Sequence, residues 1–277
     1  MPGRQPLPSV TLCCVDTRHA AQAWYALKRS TRALSFGSVV FFCPHGWEPC
    51  GERNTEIKQH PIPAIQSIEG YNRFMLKELL SHVDTSYVLV TQWDGFIADP
   101  QRWDPDFLSW DYIGAPWYHG GSSGSVGNGG FSLRSRKLLD ALAQLEQNYV
   151  EPEDMTICVT LRPRLEAEFG VKFAPLEVAQ RFAHEYGPVT PAFGFHGMHN
   201  FAHVMSPDEL RAWLATAPDD LLCTKHARKL IKTLMASRQT GEAQYIIQRR
   251  STTLGWTVDQ CLLWLRAMAW RLRGAIA

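Results

Sequence analysis

The chain has no apolar run long enough to cross a bilayer, which takes about 20 residues, so a transmembrane helix is not expected. It has no excess of one charge either. Lys and Arg total 28 against 27 Asp and Glu, a net charge of +1. That balance gives no basic footprint for nucleic acid. The seven cysteines are odd in number and form no CxxC pair, which argues against a zinc knuckle and against a disulfide framework. Cys13 and Cys14 are adjacent inside a strand pattern and read as buried thiols, so a reducing cytoplasm is the expected setting. Residues 1–8 lack the apolar core of a signal peptide and read as a short disordered leader. No internal repeat is found.

What is present is enough apolar material for a sizeable core: 45% of 277 residues. Strands are expected at 9–15, 39–43, 57–62 and 87–91, and helices at 20–34 and 67–82. Tyr71, Phe74, Met75 and Leu79 stand at helical spacing in the second helix. The alternation predicts an α/β fold, a mostly parallel sheet with helices on its faces. After residue 98 the pattern is less regular. A short strand at 112–117 leads into a glycine and serine loop at 119–130, then an extended segment at 131–134. Ser135 is placed to cap a helix running to about residue 148, residues 153–154 open another, and 171–174 read as a late strand. From about 207 the chain reads as three or so helices. The expected organisation is a domain at 1–205 followed by a helical region at 206–277.

Four segments could carry chemistry. The strand at 87–91 ends in Gln92-Trp93-Asp94-Gly95. Ligands of open α/β sheets bind outside the carboxyl ends of strands, so a carboxylate there suits a divalent metal or a phosphorylated ligand. The alternative is an Asp that caps the next turn. The second segment is Asn128-Gly129-Gly130-Phe131-Ser132-Leu133-Arg134. It lacks the lysine of a P-loop and the context of a dinucleotide fingerprint. It reads as a close backbone approach to a bound sugar, or else as a solvent loop. The third is Glu153-Asp154 at a helix start. Acids there can simply complement the helix dipole, worth ~0.3–1 kcal/mol each. Alternatively, one can take the proton of an acceptor hydroxyl. The fourth is His196, between Gly194 and Gly197 and followed by His199 and His203. The glycines point to a loop, where a histidine reads as a ligand or acid/base group.

The segments QWDGF, YIGAPW, GNGGFSLR, EDMTIC and FGFHG, in this order over about residues 10–201, resemble a bacterial family of unknown function related to the GT-A glycosyltransferases. The resemblance implies a GT-A-like fold and a hexosyltransferase-like enzyme of surface polysaccharide synthesis. It implies a UDP-sugar as donor, a glycan or other hydroxyl as acceptor, and an inverting mechanism. Asp94 matches the last acid of the DxD motif, which ligates Mn²⁺ or Mg²⁺ at the donor diphosphate; Gln92 stands where the first Asp is usual. His196 matches the late histidine of that metal site. Asp154 matches the catalytic base, and Asp16 and Thr17 lie where the nucleotide base and ribose are held. Gln92, Trp93, Gly95, Asn128, Gly129, Gly130, Arg134 and Glu153 are expected around the substrates. The chemistry is coherent in itself, since a divalent cation neutralises charge on the leaving phosphates and a carboxylate activates the acceptor. Other readings are a metal-dependent nucleotidyltransferase or phosphohydrolase, and a non-catalytic nucleotide- or glycan-binding module.

The last expected helix, 258–272, mixes Trp264, Leu265, Met268, Trp270 and Leu272 with Arg266 and Arg271; Arg273 follows directly. A basic amphipathic helix can lie on an anionic membrane surface, which would put the protein at the inner face of the membrane. The few arginines favour packing on the main domain or on a second subunit instead.

Overall fold

The computed structural model describes residues 4–51, 54–117, 125–187 and 189–274. The expectations for residues 1–3 and for 119–124 of the glycine and serine loop lie outside these. The rest of the expected disordered leader is not one, since residues 5–8 already belong to the first strand and 5–7 pair with the second from Leu34. The chain divides into two compact units, Met1–His196 and Gly197–Ala277.

The first unit opens with β1 (Gln5–Val15), α1 (Ala20–Ser30), β2 (Leu34–Pro44), β3 (Ile57–Ile62) and α2 (Ile68–Arg73). The Ser67 hydroxyl caps α2 by accepting from the Gly70 N–H at 3.2 Å, and helical turns continue to His82. There follow β4 (Tyr87–Thr91), β5 (Tyr112–Gly114), β6 (Pro116–Trp117), β7 (Ser125–Val126) and β8 (Phe131–Ser135). Next come α3 (Arg136–Gln144), α4 (Glu153–Met155), α5 (Arg162–Phe169) and α6 (Leu176–Phe182), then β9 (Ala183–His184) and β10 (Gly194–Phe195).

Six strands form one sheet in the order β3-β2-β1-β4-β8-β5. β1 to β4 run parallel, and β8 is antiparallel to both of its neighbours. The sheet is therefore mixed and mostly parallel, with helices on its faces, as the alternating pattern predicts. Successive residues of β1 enter different cores. Leu12 and Cys14 pack with Trp24 and Leu27 of α1, whereas Cys13 and Val15 pack with Phe74, Met75 and Leu79. A strand covered on both faces must be apolar throughout, which is why β1 and β4 read as continuous hydrophobic runs. All seven cysteines are free thiols, and burial pushes the Cys13 thiol up to about 12.

Several boundaries differ from the sequence reading. The first helix stops at Ser30 rather than 34, because Leu34 pairs with Gln5 as the first residue of β2. The helix after Ser135 ends at Gln144 rather than about 148; its cap is as expected, with the Ser135 hydroxyl accepting from the Leu138 N–H at 3.0 Å. The late strand at 171–174 is not one. Only Phe173 bridges to Tyr112, because β5, the edge it lies against, is three residues long.

The second unit holds α7 (Phe201–Val204), α8 (Pro207–Thr216), α9 (Asp219–Leu222), α10 (Lys225–Ala236), α11 (Thr240–Leu254) and α12 (Val258–Gly274). Among the described residues from 207 there are five helices, where about three were expected. Ser206 and Glu209 close a reciprocal capping box on α8. Phe201 packs edge-to-face on Trp213, so residues 197–205 belong with these helices. The side chains of Trp270, Arg271, Leu272 and Arg273 lie outside the described residues. Among the described residues no helix is long and apolar enough to cross a membrane.

Candidate active site

The chain leaves β4 at Thr91 and turns back at once. Gln92 and Gly95 exchange backbone hydrogen bonds at 3.2 and 3.0 Å, which leaves Trp93 and Asp94 at the tip of the turn. Asp94 thus stands at the carboxyl end of a central strand, buried. The two-residue strands β9 and β10 pair in parallel, and the His196 N–H donates to the His184 carbonyl at 2.9 Å. This pairing carries Glu185 and His196 to the same spot.

His196 is the hub. Its Nε2 lies 3.4 Å from Asp94 Oδ1 and 3.2 Å from Gln92 Oε1. Its Nδ1 lies 3.2 Å from Glu185 Oε1 and 3.0 Å from Asn128 Nδ2. Asn128 Nδ2 also donates to Glu185 Oε2 at 2.7 Å, so Glu185 gathers both side chains. Burial opposes a charge on the imidazole, but Asp94 and Glu185 outweigh it and lift its pKa to about 10. Gln92 donates in turn to the Tyr71 hydroxyl at 2.9 Å.

The glycines of the 128–134 segment are explained by the protein's own side chains. A Cβ on Gly130 would fall 2.2 Å from His196 Nε2, and one on Gly129 would fall 2.1 Å from Glu153 Oε1. The close approach expected for a sugar is therefore made, in this structure, by an imidazole and a carboxylate. Arg134 and Glu153 face each other inside the protein. Arg134 Nη2 donates to Glu153 Oε1 at 2.7 Å, and neither side chain is more than 5% exposed. Expected beside the substrates, both instead spend their charge on one another. Asp154, one residue on, is only half-buried. Its Oδ2 accepts from the Gly129 N–H at 3.1 Å and its Oδ1 from the Met155 N–H at 2.8 Å.

Asp16 follows β1, the strand beside β4. Its Oδ1 accepts from the backbone N–H of Arg18 and His19, at 2.8 and 2.7 Å, and so shapes the entry to α1. Burial pushes its carboxyl above the ordinary range against those hydrogen bonds, and nearby Asp94 adds to the rise. The Thr17 hydroxyl accepts from the Ile65 N–H at 2.9 Å, and Trp93 sets its ring 5.9 Å from that of His19. The structure thus joins Asp94, Gln92, Asn128 and His196 directly, links Asp154 to them through Gly129, and sets Asp16 beside Asp94.

Glu185 and Tyr71 were not foreseen. A lone Glu after a two-residue strand carries no periodic signal, and Tyr71 had been read only as an apolar position of its helix. His199 and His203 do not share a helix face with His196, which directly follows β10 while they lie beyond Gly197. Among the described residues no three His, Cys, Asp or Glu side chains form a ready metal cluster. The centre offers two protein ligands at most, plus buried carboxylates and backbone donors that can position a polar ligand.

No curated protein sequence matches this chain. Among solved structures it is similar to a glycosyltransferase involved in the glycosylation of the major capsid of PBCV-1. The identity is 12% and the TM-score 0.43, over 68% of this chain and 92% of that one. It is similar as well to the galactosyltransferase LgtC in complex with donor and acceptor sugar analogues, at 13% identity and TM-score 0.43, over 67% and 86% of the two chains. A third is the bifunctional IspDF from Campylobacter jejuni, at 12% identity and TM-score 0.38, over 60% and 48%. Likenesses this distant say nothing of activity. A family described as a protein of unknown function, DUF5672, matches residues 54–196, from just before β3 to the hub histidine, and includes Asp94, the glycine segment and Asp154. That span is over half of the chain, which therefore belongs to the DUF5672 family.

Proposed function

We propose that this protein is a glycosyltransferase that moves a sugar from a nucleotide-sugar donor, a UDP-sugar, to a hydroxyl of a glycan acceptor. The observation that carries this reading is the couple of Asp94 and His196, 3.4 Å apart at the end of β4, with Glu185 on the far nitrogen of the imidazole. A carboxylate behind a histidine orients the ring and raises its basicity as a metal ligand. An oxygen and an imidazole suit Mn²⁺, and an oxygen suits Mg²⁺. Two protein ligands fit a cation that takes its other oxygens from a diphosphate and water. Asp94 and His196 would hold it, and it would neutralise the charge that gathers on the leaving phosphates.

The chain's own groups do the rest. Asp154 takes the acceptor proton; its carboxylate is fixed by two backbone N–H groups and remains partly open to solvent. As Asp154 takes that proton, the acceptor oxygen bonds to the anomeric carbon from the face opposite the nucleotide and the nucleoside diphosphate leaves with its bonding electrons, so the anomeric configuration inverts. Asp16, beside Asp94, and Thr17 contact the nucleoside, and Trp93 flanks it. The motif resemblance supports the wider setting of surface polysaccharide synthesis on the cytoplasmic side of a membrane.

Thermal unfolding with UDP, in Mn²⁺ or in EDTA, tests the reading. A ligand at 100 times its Kd adds about 2.7 kcal/mol of stability. UDP is expected to stabilise the protein in Mn²⁺, and Asp94→Ala to remove the metal-dependent part. Equal stabilisation in EDTA, or an unchanged shift in Asp94→Ala, defeats the metal assignment. Phosphate release from simple esters without sugar transfer defeats the transferase.

A further inference from the structure

We infer that the outer face of α12 docks on an anionic lipid surface. The helix has two unlike sides. Gln260, Leu263 and Ala267, one to two turns apart, are buried where α12 packs on α11. On the opposite side Val258, Leu262 and Leu265 form a stripe at i, i+4 and i+7, exposed by 78%, 47% and 56%. Trp256, just before the helix, and Trp264 are both exposed, their rings edge-on at 6.5 Å. A contiguous apolar face of this kind on a soluble surface marks an interaction site. Exposed tryptophans beside it in sequence suit the headgroup level of a bilayer.

Charge selects the occupant. Residues 197–277 hold eleven Lys and Arg against six Asp and Glu, whereas residues 1–196 hold seventeen against twenty-one. The near-neutral chain thus conceals a helical unit of net +5 and a sheet unit of net −4. Asp259, the acid of the first turn of α12, is already engaged by Arg228. Arg250 and Lys232 act on it as well. Arg266 is exposed beside the stripe. A second copy of this chain would bring the same basic unit against itself, which like charges disfavour. An anionic bilayer accepts both the apolar stripe and the positive charge, the combination that interfacial helices use. This inference does not depend on the transferase reading.

The test is co-sedimentation of the full chain with vesicles of pure phosphatidylcholine or of phosphatidylcholine mixed with phosphatidylglycerol. The parent chain is expected to pellet with the mixed vesicles, to stay soluble with the neutral ones, and to be released by high salt. Leu262→Glu with Leu265→Glu should cut binding by at least ~10-fold, since binding scales with buried apolar area. Circular dichroism checks that this variant is folded. Val150→Glu, an exposed position of the sheet unit, should bind as the parent does. No pelleting, equal pelleting of parent and double variant, or pelleting indifferent to salt overturns the inference. So does a parent dimer that the double variant converts to monomer while vesicles are ignored, because the stripe then serves a second copy.

Discussion

Arg134 and Glu153 form an ion pair wholly inside the first unit, at 2.7 Å, and Glu153 Oε1 occupies the space that a side chain on Gly129 would need. Arg134 Nε also donates to the Ser132 hydroxyl at 3.0 Å, and the guanidinium lies over the Tyr112 ring. One strand, one helix start and the glycine segment are therefore held by one charge pair. Burial pushes the Glu153 carboxyl above its ordinary value and the guanidinium, which stays charged, pulls against that rise.

The pair has an asymmetric effect on stability. Removing one partner strands a buried charge and costs about 3–5 kcal/mol, whereas replacing both with apolar residues of similar volume is often neutral. Glu153→Leu alone should therefore unfold at much lower urea than the parent, and Arg134→Met with Glu153→Leu should recover most of the loss. A double variant as unstable as the single one would mean that the pair's other hydrogen bonds, not its charges, hold the segment.

Glu185 and Asp94 should differ in their effect on metal. Asp94 is a proposed ligand, and Glu185 only fixes the ligand His196. Outer-shell partners of this kind typically change metal affinity by roughly 10–100-fold. Glu185→Gln is expected to weaken the Mn²⁺ dependence of UDP binding by that factor, whereas Asp94→Ala removes it. Calorimetric titration of Mn²⁺ in the presence of UDP reads both. Equal loss in the two variants would make Glu185 a ligand itself.

Asp154→Asn should leave UDP binding intact, because an amide oxygen can still accept from the Gly129 N–H. Transfer should fall by at least roughly 10²-fold, the usual size of a general-base contribution. NMR of the product of the parent enzyme should show an inverted anomeric centre. Full transfer by Asp154→Asn, or a retained configuration, removes Asp154 from the role of base.

The central strand was legible because residues 88–90 are apolar and Thr91 is β-branched, as a strand covered on both faces favours. Asp94 and His196 were legible because each is a polar group beside glycine at an element's end. Their neighbour Glu185 was not, since it reaches the centre through strands of two residues, too short to have a period. Arg134 and Glu153 were read as substrate groups because charge alone does not reveal direction. Only the fold shows that β8 and α4 point these side chains at each other. The last helix was hardest, because apolar residues on every side of it left open which side is covered.

The second unit should respond to acid through Asp259. Its carboxylate accepts from Arg228 of α10, and that hydrogen bond, helped by the charges of Arg228, Arg250 and Lys232, holds it below the ordinary carboxylate range. A depressed carboxylate contributes stability that is fully present above its unfolded pKa, about 3.9. That contribution disappears as pH falls through the lower folded value, when the proton displaces the pairing. The pair is about 40% exposed on both sides, so it belongs with surface pairs worth ~0.2–1 kcal/mol. Asp259→Asn should therefore melt slightly below the parent at pH 7, with the gap closing as pH falls from about 3.9 through the folded pKa. Every other carboxylate titrates in both proteins and cancels in the comparison. Melting curves of the two, from pH 7 to 3, measure the gap. A gap that is constant with pH would mean that the substituted amide disturbs packing rather than charge, and no gap at all would mean that α12 is held by Leu263 and Ala267 alone.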